Sequence, residues 1–260
     1  MNRQIIEKLE EIKSGVADIY TSKEFQKFLN HSAKFHNYSY NNQLLILRQL
    51  PSARLVASMK TWNQNGYKII KGSKAIRVLV PIRVKSCEDE EDDIIYYKFG
   101  NVFDITQVCG AFMDELSKAP KNDLREAVSR LRNASKNEKV KIRLGRLNGP
   151  KGCFSPGTNT ITLDIDNGDT QMFKTLMHEK AHSLQEYLWD YDSEEIIAES
   201  VAYVTCCNYG IDVSDYSFGY VAAWAKGKPL DILDKHLEDI TRRSKFIIEW
   251  VDNNTELKGW

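Results

Sequence analysis

Hydrophobic residues recur every three to four positions at the start of the chain, a spacing typical of amphipathic helices. The first pattern predicts a helix over residues 3–19, with apolar positions at Ile5, Ile6, Leu9, Ile12 and Val16. Two further patterns predict helices over residues 22–35 and 41–49, and Pro51 ends the third of them. The N-terminal part of the chain is therefore predicted to begin with helices.

The pattern becomes β-rich further along. Asn65-Gly66 and Lys71-Gly72 are turn signals, and two predicted strands follow, "RVLVPIRVK" and "IIYYKFGNVFDI". The acidic run "EDEEDD" at residues 88–93 separates these strands. We interpret it as a solvated hairpin tip, with a metal-binding role as the alternative.

Residues 111–122 are interpreted as a connection between two modules. The pattern after them predicts a helix, a strand, a hairpin, two long helices and a closing helical segment, at residues 123–134, 140–145, 152–164, 170–188, 193–208 and 229–252. The predicted fold class is α+β, with one domain over residues 1–112 and a second over residues 123–260.

The composition is that of a globular protein, with 42% hydrophobic and 28% charged residues among 260. No apolar run approaches the roughly 18 residues of a membrane span. The N-terminus lacks a signal-peptide pattern, and the five cysteines, an odd number, form no C-x-x-C pair. We therefore expect a cytoplasmic protein with no membrane partner.

The net charge of zero hides an asymmetry. Residues 1–86 contain 15 Lys/Arg and 5 Asp/Glu, a net charge of +10, and the remaining residues contain 21 and 31, a net charge of −10. This division suggests two modules, the first of which suits a polyanion. Chance clustering of solvated lysines is the alternative.

Aromatic and cationic residues interleave within residues 31–86. The candidate nucleic-acid contacts are Tyr38, Lys60, Trp62, Lys68, Lys71, Lys74 and Arg77. Cations neutralise phosphates, and exposed aromatic rings stack on unpaired bases. Two alternatives stay open: the aromatic residues belong to the core, or the partner is double-stranded DNA or RNA.

The motif H-E-x-x-H occupies residues 178–182. On a helix, His178 and His182 share a face and can bind one metal ion, while Glu179 is placed to act as a general base. Two alternatives remain: a pair of surface histidines on an amphipathic helix, and a metal site without catalytic activity.

A catalytic zinc ion takes a third protein ligand and keeps one position open. Glu195 and Glu199 share a face of the next predicted helix, and either can complete the set. We prefer Glu199 because Ala198 and Ala202 allow close packing there. Glu195 would then support a ligand or be exposed.

The predicted chemistry is peptide hydrolysis, in which zinc lowers the pKa of water and Glu179 takes the proton. The strand "TITLD", residues 160–164, is a candidate edge for an extended peptide, although it could equally be an interior strand. Candidates for stabilising the oxyanion are His236, Tyr191, Tyr203, Tyr216 and Tyr220.

Longer motifs carry a family resemblance. The segment "HNYSYNNQLLILRQLPSARLVASMKTWNQNGYKIIKGSKAIRVLVPI" and "NVFDITQ" resemble the single-stranded-DNA-binding domain of ArdC-type antirestriction proteins. "FSPGTNTITL", "HEKAH", "AESVAYVTCCNYGI" and "SFGYVAAWAKG" resemble the zincin-like metallopeptidase domain of that family, which is related to ImmA/IrrE-type peptidases. The acidic insertion "EDEEDD" and the short C-terminus depart from the family pattern.

The resemblance implies a mobile-element protein that binds single-stranded DNA through residues 1–112 and acts on an unidentified protein substrate through residues 123–260. It implies Zn²⁺ on His178, His182 and Glu199, with Glu179 catalytic. Two alternatives are a regulatory metallopeptidase that cleaves a repressor, and a DNA-binding protection protein whose zinc domain is purely structural.

Overall fold

The structure is a computed structural model that describes residues 7, 10, 13–84, 94–110 and 123–259. The chain forms two compact units: the first comprises residues 1–18 and 38–118, and the second comprises residues 19–37 and 119–260. A stretch from the N-terminal part of the sequence thus belongs to the second unit. The acidic run at 88–93 and the connection at 111–122 lie outside the described residues.

The described residues form helices and strands in mixed order. The helices are α1 (Val16–Ile19), α2 (Ser22–Lys34), α3 (Tyr40–Gln49), α4 (Met59–Gln64), α5 (Leu124–Ser135), α6 (Asp169–His182), α7 (Tyr191–Asn208), α8 (Val221–Ala225) and α9 (Leu230–Asn254). The strands are β1 (Val56–Ser58), β2 (Lys68–Ile69), β3 (Ile76–Val84), β4 (Ile94–Asp104), β5 (Val108–Cys109), β6 (Lys141–Gly145), β7 (Gly152–Ser155) and β8 (Thr160–Asp164). The predicted α+β class is confirmed.

The first unit is built on an antiparallel sheet with strand order β1-β4-β3, next to the two-stranded sheet β2-β5. The long β3–β4 ribbon runs from the pair Ile76↔Val102 to the pair Val84↔Ile94. The outer edge of β3 is covered by α3: the Asn42 amide exchanges two hydrogen bonds with the Leu79 backbone, at 2.7 and 2.9 Å. This cover protects the edge from pairing with another chain.

A buried carboxylate fixes the connection between β1 and β4. Asp104 accepts hydrogen bonds from the backbone N–H groups of Arg54 (2.7 Å), Leu55 (3.0 Å) and Thr106 (3.0 Å). Burial alone would raise the pKa of Asp104, but these bonds to the charged form outweigh it and lower the pKa. Asp104 therefore stays ionised inside the unit.

The second unit contains a mixed sheet with strand order β6-β8-β7, in which β8 pairs parallel to β6 and antiparallel to β7. Helix α6 packs on β7 and β8, and α7 packs on α6, α9 and α2. The core includes Phe173, Leu176, Met177, Ile197, Val201, Leu237 and Ile240, all fully buried. Because α7 packs on three helices, several of its polar residues are buried, among them Ser193, Glu194, Ser200 and Thr205.

No helix within the described residues is long and apolar enough to cross a membrane. Of the cysteines that the structure describes, Cys109 and Cys153 are exposed thiols, Cys206 is a buried thiol, and Cys207 is partly exposed.

Candidate metal centre and nucleic-acid surface

The motif helix α6 differs from its prediction at both ends. It begins at Asp169, after the N-cap residue Gly168, rather than at residue 170, and it ends at His182 rather than residue 188. Arginine side chains of α9 satisfy carbonyls at this end: Arg243 donates to the Ala181 oxygen at 3.0 Å, and Arg242 to the Leu184 oxygen at 3.1 Å. Leu188, at the end of the predicted helix, is fully exposed.

Helix α7 brings three glutamates to the motif. Its N-cap is Asp190, whose carboxylate accepts from the Ser193 backbone N–H at 2.9 Å, so the helix begins two residues before the predicted start at residue 193. His182, at the end of α6, lies against Glu194 in the first turns of α7, and His178 lies against Glu199, further along α7. The two helices therefore run antiparallel where they meet.

Three side chains converge on one point. The Nε2 atoms of His178 and His182 lie 3.1 Å apart. The Glu195 carboxylate faces both of them, with Oε2 3.6 Å from Nε2 of His178 and Oε1 3.4 Å from Nε2 of His182. These three residues offer ligand atoms within 4.8 Å of one another, which makes them a candidate metal-binding group.

Glu199 lies on the opposite side of the His178 ring, where its Oε2 is 3.3 Å from Nδ1. The structure thus places Glu195 within reach of both Nε2 atoms and Glu199, the third ligand preferred from the sequence, next to Nδ1 of His178. In the antiparallel pair, Glu195 lies between the levels of the two histidines. Glu199, one turn further along α7, contacts Nδ1 of His178, on the side of the ring away from His182.

The carboxylates set the charge state of the cluster. Burial alone would lower the pKa of His178, but hydrogen bonds to Glu195 and Glu199 and the charge of Glu179 raise it to about 9. The hydrogen bond to His178 lowers the pKa of Glu195. The carboxylates around His178 therefore favour positive charge at this point of the site, as they would for a bound cation.

Glu179 occupies the wall of an adjoining cavity. Burial raises its pKa, against the opposing charges of His178 and His182 and a hydrogen bond from the Phe154 backbone N–H. The cavity is lined by Lys151, Gly152, Gln171, Lys174, Thr175, His178, Glu179, Glu199, Asp215 and Tyr216. A buried carboxylate of raised pKa beside two histidines suits a group that accepts a proton near neutral pH.

The edge strand next to the motif is β7, since β8 lies between β6 and β7. The segment 160–164 is thus an interior strand, the second of the two possibilities that its sequence left open. A Cβ atom on Gly152 would lie 2.5 Å from Cγ2 of Thr175 and 3.3 Å from Cγ of Glu179. A glycine at this position lets β7 approach the motif helix closely.

The structure separates the candidates for oxyanion stabilisation. His236 is fully buried, with its ring nitrogens 3.1 Å from the Tyr20 hydroxyl and 3.2 Å from the Ser193 oxygen. Tyr203 is also buried, and Tyr191 is exposed. Tyr216 lines the cavity with Glu179. Burial raises the pKa of Tyr220, and the charges of Glu199 and Glu195 raise it further, so this residue also lies near the site.

The predicted nucleic-acid contacts divide into surface and core. The side chains of Lys60, Lys68, Lys71, Lys74 and Arg77 are exposed. Tyr38 is half-buried, and its hydroxyl donates to the Val56 oxygen at 3.1 Å. Trp62 is only 5% exposed, and its Nε1–H donates to the Phe103 oxygen at 2.8 Å. Base stacking on Trp62 does not agree with this placement, because the ring is part of the core.

Sequence reasoning missed several residues. Tyr96 and Tyr97 on β4 are 49% and 38% exposed. The sequence pattern of β4 does not show which face of the strand is exposed to solvent, so neither tyrosine was proposed as a DNA contact. Glu194 was visible only as one of three nearby glutamates. Arg243, fully buried against it, has no local sequence signal.

The fold and the site define a two-unit α+β protein with a candidate His-His-Glu metal centre. Residues 1–108 match the family model of the N-terminal domain of the anti-restriction factor ArdC. An uncharacterized Bacillus anthracis protein, pXO2-81, is 24% identical over 300 aligned residues, which cover 94% of this chain. The chain spans 50% of that relative's length.

Two crystal structures of the antirestriction protein ArdC from the R388 plasmid share the fold. The metal-free form has a TM-score of 0.51 at 18% identity, covering 84% of this chain and 87% of ArdC. The Mn(II)-bound form has a TM-score of 0.57 at 16% identity, covering 95% and 97%. The family-model match confirms the resemblance of residues 1–108 to the N-terminal domain of ArdC, and the two structures show that the chain shares the ArdC fold.

Proposed function

We propose that the chain is an antirestriction-type protein of mobile genetic elements that binds single-stranded DNA through its first unit. Its second unit carries a zinc-dependent, endopeptidase-like site. The match to the ArdC N-terminal domain and the fold of ArdC from a plasmid support this assignment. The observation that supports the zinc-dependent site is the convergence of two imidazole Nε2 atoms and the Glu195 carboxylate beside Glu179.

Charge supports the DNA-binding half. Residues 38–84 and 94–110 contain nine cations, all with exposed side chains: Arg48, Arg54, Lys60, Lys68, Lys71, Lys74, Arg77, Arg83 and Lys98. The acidic residue within these ranges, Asp104, is fully buried and bonded to backbone N–H groups. These ranges therefore carry an excess of positive charge at the surface, which attracts phosphates.

Stacking contacts are supplied by one face of the β3–β4 ribbon. Tyr97 pairs with Pro81 and Asn101 with Arg77 in the ribbon register, so Tyr97, Phe99 and Arg77 share a face. The Arg77 guanidinium lies 4.3 Å from the Phe99 ring centroid. An exposed tyrosine beside a cation–π pair suits a flipped-out base, at about 1–3 kcal/mol per stacked base.

The opposite face of the ribbon provides a matched control. Tyr96 is 49% exposed, against 38% for Tyr97, but points to the other side. We expect Tyr97→Ala to weaken binding of a fluorescent oligo-dT about 5- to 150-fold in an anisotropy titration, and Tyr96→Ala to change it little. Equal losses in both variants would contradict the assigned face.

Salt dependence tests DNA binding itself. Log affinity for a single strand should fall linearly with log salt concentration, at a slope of about −0.7 per neutralised phosphate. A flat response would remove the nucleic-acid assignment. Six carboxylates at residues 88–93 follow β3 in the sequence, so replacing them with serine should strengthen binding at low salt.

The donor set fits a zinc ion. Ligands of a tetrahedral zinc site, with bonds of about 2.0–2.3 Å, lie roughly 3.3–3.8 Å apart. The 3.1 Å between the histidine Nε2 atoms and the 3.4 and 3.6 Å to Glu195 are close to this spacing. We assign His178, His182 and Glu195 as ligands and Glu199 as the partner of His178 Nδ1. Two imidazoles and a carboxylate leave a fourth position open, as in catalytic zinc sites.

The chain's own residues supply the remaining functions. Zinc bound there acts as a Lewis acid and lowers the pKa of water. Glu179 accepts the proton, from a buried position that keeps its pKa raised. The backbone N–H of Phe154 on β7 donates a hydrogen bond to Glu179. Since β7 is an edge strand beside Glu179, an extended protein segment can pair with it. Tyr216 and Tyr220 are the hydroxyls available to stabilise an oxyanion.

The discriminating variant is Glu179→Gln. We expect it to retain metal, because Glu179 is not a ligand, and to lose cleavage of peptide libraries and of the natural protein substrate. Protection of incoming DNA that survives in this variant would favour a purely structural zinc domain. Cleavage of a repressor in the absence of DNA would favour the regulatory peptidase.

A further inference from the structure

Arg243 on α9 is a charged residue with no exposed surface. Its Nη1 donates to Glu194 Oε1 at 2.6 Å and its Nη2 to Glu194 Oε2 at 3.0 Å. Nε and Nη2 also donate to the two Asp239 oxygens, at 3.1 and 2.7 Å. A fifth bond reaches the Ala181 carbonyl at 3.0 Å. All three guanidinium nitrogens are therefore committed to fixed acceptors.

Glu194 links this arginine to the candidate metal centre. Its Oε1, which accepts from Arg243, also lies 3.1 Å from Nδ1 of His182. The other ring nitrogen of His182, Nε2, faces His178 and Glu195. A hydrogen bond at Nδ1 decides which nitrogen keeps its proton and where the ring points.

We propose that Arg243 is a positioning residue that locks the Glu194 carboxylate, so that Glu194 holds the Nδ1–H of His182 and presents its Nε2 lone pair to a metal ion. The inference rests on the metal site of the proposed function. It goes beyond that function because Arg243 touches neither a ligand atom nor the substrate cavity.

The residue type suits the role. A guanidinium presents a planar fork that grips both oxygens of Glu194 and fixes the carboxylate plane, whereas a lysine ammonium is a single point charge. Asp239 is held in turn by the Trp189 Nε1–H at 3.0 Å and by Arg242 at 2.6 Å. Arg243 and its two carboxylate partners, Glu194 and Asp239, form what we call the clamp. The clamp is therefore held in place on the side away from the metal centre.

A purely structural role for Arg243 makes a different prediction, since the residue also joins α6, α7 and α9. The same helix, α6, offers a matched control: Lys180 is buried and lies 3.4 Å from Glu138, which accepts from Trp250 at 2.7 Å. Glu138→Gln disturbs a partly buried contact of the same helix that touches neither histidine. It should lower the stability of the unit without changing metal affinity.

The first readout uses the metal-free full chain. A slowly exchanging Nδ1–H resonance of His182 is expected by ¹⁵N-edited NMR in the wild type and in Glu138→Gln. It should be lost in Glu194→Ala and exchange faster in Arg243→Lys. This measurement stays informative if the wild type binds no zinc, so failure of the metal site and failure of the clamp can be told apart.

The second readout is zinc affinity by chelator competition, measured on variants whose folding is checked by urea unfolding. Loss of an outer partner of a ligating histidine typically weakens binding about 10- to 100-fold, which we expect for Glu194→Ala, with a smaller loss for Arg243→Lys. Because Arg243 acts through Glu194, the double variant should lose no more affinity than Glu194→Ala alone.

Additive losses in the double variant would overturn the proposal, as would an unchanged Nδ1–H signal in Glu194→Ala. Should Arg243→Lys fail to fold, Glu194→Gln keeps the size of the side chain and weakens only the acceptor, and the same two readouts apply. Unchanged affinity and exchange in folded Glu194→Gln and Glu194→Ala would reduce Arg243 to a structural clamp.

Discussion

The approach of β7 to the motif helix makes Gly152 the most sharply testable position in the second unit. An added Cβ would lie 2.5 Å from Thr175 Cγ2, 3.2 Å from the Thr162 oxygen and 3.3 Å from Glu179 Cγ. An ordinary contact needs about 3.5–4 Å. In Gly152→Ala the Thr175 methyl must therefore move by about 1 Å inside a packed layer, and overpacking of this kind costs about 1–3 kcal/mol.

A second substitution isolates the clash. Thr175→Ser removes the methyl group at 2.5 Å and keeps the hydroxyl, which accepts from Gln171 at 3.1 Å. Alone it should cost about 0.8 kcal/mol, the value of one buried methyl. Combined with Gly152→Ala it should recover about 1 kcal/mol or more, giving a favourable coupling energy between the two positions.

The assay is urea unfolding followed by tryptophan fluorescence in a Trp62→Phe background. Trp62 is the tryptophan of the first unit, so the remaining signal reports the second unit. Strictly additive effects of the two substitutions would refute the close approach of β7 to α6. A loss below about 0.3 kcal/mol in Gly152→Ala would refute it as well.

Further predictions concern pH and buried polar groups. Burial lowers the pKa of His236 to about 3, so between pH 6.5 and 3 the unfolded state binds more protons, and stability should fall by up to about 1.4 kcal/mol per unit as pH decreases. His236→Asn should remove that slope from urea unfolding curves, and an unchanged slope would contradict the buried, neutral state. Asp104→Asn should cost the first unit about 1–3 kcal/mol, since backbone N–H groups lose their charged acceptor. Hydrogen bonds lower the pKa of Asp104 in the folded state. The contribution of Asp104 to the stability of the first unit is therefore present above its unfolded pKa of about 3.9 and lost as pH falls through the folded pKa. Unfolding followed by Trp62 fluorescence should consequently show less acid destabilisation in Asp104→Asn than in the wild type.

Periodicity predicted much of the fold. Helices α2, α3, α5 and α7, and the β3–β4 ribbon, follow apolar patterns within a few residues of their ends. The short elements β1, β2 and α4 carry too few residues for a period to show. The carbonyl groups at the end of α6 accept hydrogen bonds from Arg242 and Arg243, which lie about 60 residues later in the sequence. The local apolar pattern contains no sign of these contacts, so it predicted a helix that extends to residue 188.

The site was predictable as far as local spacing reaches. His178, Glu179 and His182 lie within one helical turn, so the motif alone brings them together. The choice between Glu195 and Glu199 depends on how two helices cross, which spacing within one helix does not determine. Trp62 is held in the core by a hydrogen bond to the backbone oxygen of Phe103, 41 residues away. The interleaving of aromatic and cationic residues in the sequence does not reveal such a long-range contact.

The identity of the third ligand tests the central claim most directly. Metal content by plasma mass spectrometry, after zinc reconstitution, should be about one zinc per chain in the wild type. It should be lost in Glu195→Ala and retained, with weaker affinity, in Glu199→Ala, because Glu195 faces both Nε2 atoms and Glu199 reaches only Nδ1 of His178. Zinc kept by Glu195→Ala and lost by Glu199→Ala would contradict the account, and so would a wild type that binds no metal.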